Sequence, residues 1–134
     1  MSLYVDTSAL LKRYVIEDDS DVFNDYLSTD DVWLTARHTG VETRRNLARH
    51  FDGSDLANAQ GQFLADWEAT HIIELDATVC DLAGDIAEIS GVRTLDALHL
   101  AAAQRVGRGN LPFLTADRRQ AQAARGMGWT VLGV

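Results

Sequence analysis

The stretch LYVDTSALL, residues 3–11, decides the fold. Leu3, Tyr4 and Val5 are too few for a helix and too apolar for a loop, so they predict a buried strand near the N-terminus. Asp6 then stands at the carboxyl end of that strand. Thr7 or Ser8 is placed to cap a helix carrying Ala9, Leu10, Leu11 and Tyr14. In parallel α/β sheets ligands gather outside the carboxyl ends of the strands, beside helix N-termini. A carboxylate there points to a cation, because a helix N-terminus alone attracts anions.

Outward from this stretch the chain alternates short apolar runs with longer helical patterns. Val22, Phe23, Tyr26 and Leu27 recur at helical spacing, and residues 32–35, VWLT, have strand character. A helix follows from about Arg37, with Val41 and Leu47 expected on its inward side and Glu42 early in it. Asp52, Gly53 and Ser54 break the pattern before an amphipathic helix marked by Leu56, Ala57, Gln60, Phe63, Leu64 and Trp67. Residues 71–75 predict a third strand and residues 76–90 a helix stopped by Gly91. Thr94 is expected to cap the helix TLDALHLAAAQRV, whose three consecutive alanines permit close packing, with residues 107–110 ending it. A fourth strand at 111–114 leads into Thr115, Ala116 and Asp117, repeating the opening pattern of strand then acid. A helix over about 118–125 and a closing strand at 129–134 complete the chain. The sum is one parallel sheet flanked by helices, joined by right-handed crossovers.

The 134 residues fit a single domain spanning 1–134, without linker or repeat. No apolar segment approaches the roughly 20 residues of a membrane helix, and no secretory signal is visible, so a soluble cytoplasmic protein is expected. A lone cysteine, Cys80, excludes an internal disulfide and a thiolate zinc site; packing is its expected role. The net charge of −8 argues against indiscriminate nucleic-acid binding. It leaves room for a nuclease, since acids gathered to hold metal contribute to that charge.

The chemistry lies in where the acids fall. Asp6 and Asp117 follow strands, Asp96 opens a helix and Glu42 lies early in another, so all four can reach the same end of the sheet. Bringing carboxylates together costs about 1 kcal/mol per pair at 4 Å even in bulk water. A divalent cation removes that conflict, and oxygen-only ligation suits Mg²⁺ or Mn²⁺. Each acid also has an ordinary explanation. Asp6, Asp96 and Asp117 are well placed for helix capping or the helix dipole, and Glu42 for pairing with Arg44, Arg45 and Arg49 on a solvated face. Joint placement is the better signal. His99 shares a side of its helix with Asp96, and a buried, hydrogen-bonded histidine is the simpler reading than a ligand. Thr7, Ser8 and Thr115 are candidates to orient the acids or a water, although capping also accounts for them. Trp33, Trp67 and Trp129 lie in apolar patterns and are expected to pack.

The opening YVDTSALLKRYV, the acid in the helix after TAR, the segment TLDALHLAAA and the late FLTADRRQAQAA together resemble the PIN-domain family, particularly VapC-type toxins of bacterial toxin-antitoxin modules. The resemblance runs over nearly the whole chain. It implies a three-layer α/β/α sandwich with a central parallel sheet of four to five strands. It also implies a metal-dependent ribonuclease acting on RNA, often a homodimer, held inactive by a VapB-type antitoxin. By position, Asp6 matches the family's first aspartate, Glu42 its helix glutamate, Asp96 its third acid and Asp117 its fourth. One or two Mg²⁺ ions, with Mn²⁺ as substitute, are then implied, bound directly by Asp6 and Asp96 and directly or through waters by Glu42 and Asp117. Arg118 or Arg119 beside them is the expected phosphate contact. Two other acid-bearing folds fit poorly: a receiver domain needs a late lysine where the only one is Lys12, and a haloacid-dehalogenase-type phosphatase needs an aspartate where Ser8 stands. A non-catalytic module whose acidic pocket engages a partner peptide is the alternative in function.

Overall fold

The computed structural model describes residues 2–107 and 110–134. Five strands, β1 (Ser2–Val5), β2 (Val32–Ala36), β3 (His71–Ile73), β4 (Phe113–Leu114) and β5 (Val131–Leu132), form one sheet in the order β3-β2-β1-β4-β5. Every pairing is parallel. The helices are α1 (Thr7–Leu11), α2 (Ser20–Thr29), α3 (His38–His50), α4 (Gly53–Ala69), α5 (Ala77–Ser90), α6 (Thr94–Gly107) and α7 (Arg118–Gly126).

Strand alternation sorts the helices into two layers. Leu3 and Val5 of β1 and Leu114 of β4 face a core built with Ala9, Leu10, Phe23, Leu27, Leu47 and Phe63, so α1 to α4 cover that side. Tyr4 and Phe113, one residue out of phase, face Val79, Ala83, Ile86, Leu100 and Ala124 from α5, α6 and α7. The result is the three-layer sandwich, with β1 central and buried on both faces. Ala101, Ala102 and Ala103 are fully buried, which lets α6 lie close to its neighbours.

Several local expectations are corrected. The strands β3, β4 and β5 are shorter than the apolar runs that suggested them. Pro112 lacks an N–H, and only its carbonyl joins the sheet, accepting from the Tyr4 amide at 2.9 Å. The first helix stops at Leu11, and Tyr14 lies in the turn after it. Thr94 is the first residue of α6 rather than a cap outside it. Arg108 and Gly109, in the stretch expected to end that helix, lie outside the described residues. Val41 is 70% exposed, because the inward ridge of α3 is Thr39, Thr43 and Leu47. Cys80 is exposed, with its thiol directed to the Leu75 carbonyl. Of the tryptophans, Trp129 is buried, while Trp33 and Trp67 are partly covered. Gly91 closes α5 at φ 71°, as its position predicts.

Close packing around α6 has a measurable consequence. Ala102→Leu inserts three methylenes' worth of volume where no space exists, and is expected to lower unfolding free energy by about 1–3 kcal/mol in urea denaturation. A change within error would show that α6 stands off from its neighbours.

Candidate active site

The chain runs from β1 outward through β2 to β3, then returns to the other side of β1 for β4 and β5. The carboxyl edge between β1 and β4 is therefore the topological switch point, where crossovers diverge and leave a crevice. A cleft of about 490 Å³ opens there, and Asp6, Glu42, Asp96 and Asp117 all line it. The sequence candidates Thr7 and Ser8 line it as well, as do His99, Asn46 and Arg93.

Asp6 is only 3% exposed. Its Oδ1 accepts from the Ser8 hydroxyl at 2.7 Å and the Ala9 amide at 3.0 Å; its Oδ2 accepts from the Thr115 hydroxyl at 2.5 Å. Asp6 itself, rather than Thr7 or Ser8, is thus the N-cap of α1. Thr115 accepts from the Asp117 amide at 3.0 Å, and Ser8 from the Ala116 amide at 2.9 Å, so two hydroxyls tie the β1 and β4 loops together around one carboxylate. Gly133 (φ 106°) brings the end of the chain against the Thr115 carbonyl, where a Cβ would collide. Burial pushes the Asp6 carboxyl above its ordinary range, against the pull of His99 and these hydrogen bonds. Among the described residues no lysine or arginine pairs with it.

Glu42, on the first turns of α3, is held through one oxygen. Thr7 donates to Oε1 at 2.7 Å, and the His99 Nε2 lies 3.3 Å from the same atom. Among the described residues no hydrogen bond reaches Oε2. The Thr7 hydroxyl has one proton, committed to Glu42, so toward the His99 Nε2 at 3.1 Å it can only accept. His99 Nε2 therefore carries a proton, and the Tyr4 hydroxyl lies 2.8 Å from Nδ1. Burial works to raise the Glu42 carboxyl, but hydrogen bonds from His99 and Thr7 prevail and hold it below its usual range. His99 is buried and hydrogen-bonded, the simpler of its two sequence readings.

His38 was not visible as a site residue in the sequence. Its ring lies 4.2 Å from that of His99, its Nε2 3.2 Å from the Leu95 carbonyl and 3.5 Å from Glu42 Oε1. Burial, with repulsion from His99, lowers its pKa to about 4, so it is neutral at neutral pH. His38, Glu42 and His99 each offer a ligating atom within 4.8 Å of the others. Hydrogen-bond accounting makes both Nε2 atoms donors, to Leu95 and to Thr7 with Glu42.

Asp96, in the first turn of α6, is half-buried. Its carboxyl is raised, first by burial and then by the negative charge of Asp117, with Asp6 adding to the effect and Arg93 and His99 opposing it. Asp117 caps α7, its Oδ1 accepting from the Arg119 and Gln120 amides at 2.8 and 3.3 Å. The fully buried Gln120 side chain donates to the Asp96 carbonyl at 3.1 Å and so fastens α7 to α6 between the two acids. Arg93 lies 3.8 Å from both the Asp96 and Asp117 carboxylates. Arg118 and Arg119 are exposed at the start of α7; Arg119 lines an adjoining cleft with Arg93 and Asp96.

This set of groups fits a hard divalent cation. Four carboxylates face one cleft, two of them are pushed toward protonation, and the oxygen of Glu42 left without a hydrogen bond is available as a ligand.

The family model described as PIN domain matches residues 3–126. Ribonuclease VapC46 of Mycobacterium tuberculosis is 34% identical over 131 residues, spanning 98% of this chain and 96% of that protein. Among solved structures, a toxin-antitoxin complex from Klebsiella pneumoniae superposes with a TM-score of 0.73 at 14% identity, covering 98% of this chain and 96% of that one. The Mycobacterium tuberculosis toxin VapC20, described as cleaving the sarcin-ricin loop, superposes at 0.69 with 18% identity, covering 90% and 94%. At those identities the structural likeness establishes the fold.

The raised carboxyls set a pH dependence. Native Asp6 and Asp96 bind protons more tightly than the unfolded chain does, so their contribution to stability is present at low pH. It is lost as pH rises from the ordinary carboxylate range through the raised values. In EDTA at about pH 7.5, Asp6→Asn is expected to melt higher than the wild-type chain, the gap closing toward about pH 4. Equal melting temperatures across that range would mean the hydrogen bonds fully offset the burial of Asp6.

Proposed function

The chain belongs to the PIN-domain family, and from that premise we propose that it is a metal-dependent endoribonuclease, the toxin of a toxin-antitoxin pair. The observation that carries this reading is the meeting of Asp6, Glu42, Asp96 and Asp117 in one cleft from four separate parts of the chain. The relatives' names, Ribonuclease VapC, and the toxin-antitoxin complexes among the structural neighbours support it. A VapB-type antitoxin as partner and self-association as a homodimer are parts of the same proposal. No helix among the described residues is long and apolar enough to cross a membrane.

Asp6 and Asp96 are assigned as direct ligands of Mg²⁺ or Mn²⁺, with Glu42 joining through Oε2 and Asp117 directly or through water. A cation bound there supplies positive charge to polarise a phosphate, favour ionisation of water and stabilise the departing oxyanion. The protein's own groups do the positioning. Ser8, Thr115 and the Ala9 amide fix the Asp6 oxygens; Thr7 and His99 fix Oε1 of Glu42 and keep that carboxylate ionised. Asp117, at the rim of the cleft, is assigned to a metal ion or, failing that, to positioning water or substrate. Arg118 and Arg119, directly after it, are assigned to flanking RNA phosphates.

The test is cleavage of structured and unstructured RNAs with Mg²⁺ or Mn²⁺. Asp6→Asn and Asp96→Asn are expected to abolish it, and Thr115→Val to slow it by about 10- to 100-fold through loss of an outer hydrogen bond. Cleavage that persists in EDTA, or in both aspartate variants, would overturn the assignment.

A further inference from the structure

We propose that Arg93 is a resident counter-charge for Asp96 and Asp117 that leaves them when a divalent cation binds and then holds an RNA phosphate in the adjoining cleft. The inference rests on the metal-site reading above and extends it to a residue that neither the motifs nor the acid pattern singled out.

Three observations carry it. First, among the described residues Arg93 is the one lysine or arginine lining the acid cleft, and it reaches two acids at once, through Nε to Asp96 and a terminal nitrogen to Asp117, both at 3.8 Å. Asp117 disfavours the charged form of Asp96, and the Arg93 guanidinium, within reach of both carboxylates, opposes that repulsion. Secondly, the contacts are long and the Arg93 side chain is 73% exposed, so the pairs are weak, screened by solvent and easily given up. Thirdly, Arg93 stands on the partition between two cavities. The second, of about 510 Å³, is lined by Arg93, Asp96, Arg119 and Gln122 together with the turn ending α5. When a dication takes over Asp96 and Asp117, the guanidinium loses its attraction there and is repelled by the new charge. Among the described residues the other lining cation of the second cleft is Arg119, and two guanidiniums facing one cavity on a chain of net charge −8 suit a phosphodiester. The adjoining cleft is thus a subsite for a phosphate next to the one cut.

Two measurements with opposite expected signs test this. Calorimetric Mn²⁺ titration without RNA should give an affinity about two- to fivefold higher for Arg93→Gln than for wild type, the upper figure being the factor for one unit charge about 4 Å from a carboxylate in water and the lower its discount for an exposed side chain. Fluorescence anisotropy with a single-stranded RNA of mixed sequence in Ca²⁺ should give an affinity about three- to tenfold lower for Arg93→Gln, with a shallower salt dependence. Arg93→Lys should recover most of the Mn²⁺ behaviour and only part of the RNA affinity, because an ammonium cannot bind a phosphate through a planar fork. A structural role alone would weaken both affinities together. Equal Mn²⁺ affinities in wild type and Arg93→Gln, or equal RNA affinities, would overturn the proposal. Absence of Mn²⁺ uptake by wild type and variant alike would instead overturn the acid site as a metal centre, and this inference with it.

Discussion

Burying the Asp6 carboxylate is the constraint around which the molecule is arranged. A charge taken out of water needs donors on every available lone pair, and the donors here come from opposite ends of the sequence. Ser8 and the Ala9 amide are supplied by the turn into α1, but Thr115 lies 109 residues away. The sheet sets β4 directly beside β1, and the pairing of Tyr4 with Phe113 and Val5 with Leu114 delivers that hydroxyl. The same pairing places Asp117 three residues beyond the end of β4, at the rim of the cleft. Strand order and site geometry therefore have one cause.

The donors do not fully offset burial. Asp6 and Asp96 remain pushed toward protonation, chiefly by burial. Glu42 moves the other way, because its two neighbours donate hydrogen bonds to it. The cleft thus contains one carboxylate already committed to ionisation and two whose ionisation is favoured by a cation.

Much of this was legible in the sequence because its signals are local. Three apolar residues followed by an acid marked β1 and Asp6, the repeat of that pattern marked β4 and Asp117, and a glycine after residues of helical period marked the end of α5. What was not legible depends on partners distant in sequence. His38 reads as an ordinary helix-start residue until α6 brings Leu95 and His99 against it. Gln120 and Arg93 likewise acquire meaning only where α6 and α7 meet. Val41 misled because hydrophobicity is a poor guide where a threonine is buried with its hydroxyl bonded: Thr35 and Thr39 lie 2.7 Å apart, and Thr35 donates to the Val5 carbonyl at 2.6 Å. That pair also explains how α3 approaches β1 closely enough for Glu42 to meet Thr7.

The hydroxyl of Tyr4 joins the core to the site. Its ring stacks on Phe113 with centroids 5.0 Å apart, in the layer shared with α5, α6 and α7. Its hydroxyl reaches the His99 Nδ1, and His99 in turn reaches Glu42. Because the Nε2 proton faces Thr7 and Glu42, Nδ1 is left to accept from the Tyr4 hydroxyl. With Nε2 a donor, the Oε1 oxygen of Glu42 is held, and among the described residues no hydrogen bond reaches Oε2. A histidine hydrogen-bonded at both nitrogens is better suited to holding a carboxylate still than to binding a metal, and His99 does so from the buried wall of the cleft that Asp96, one turn earlier on α6, also lines.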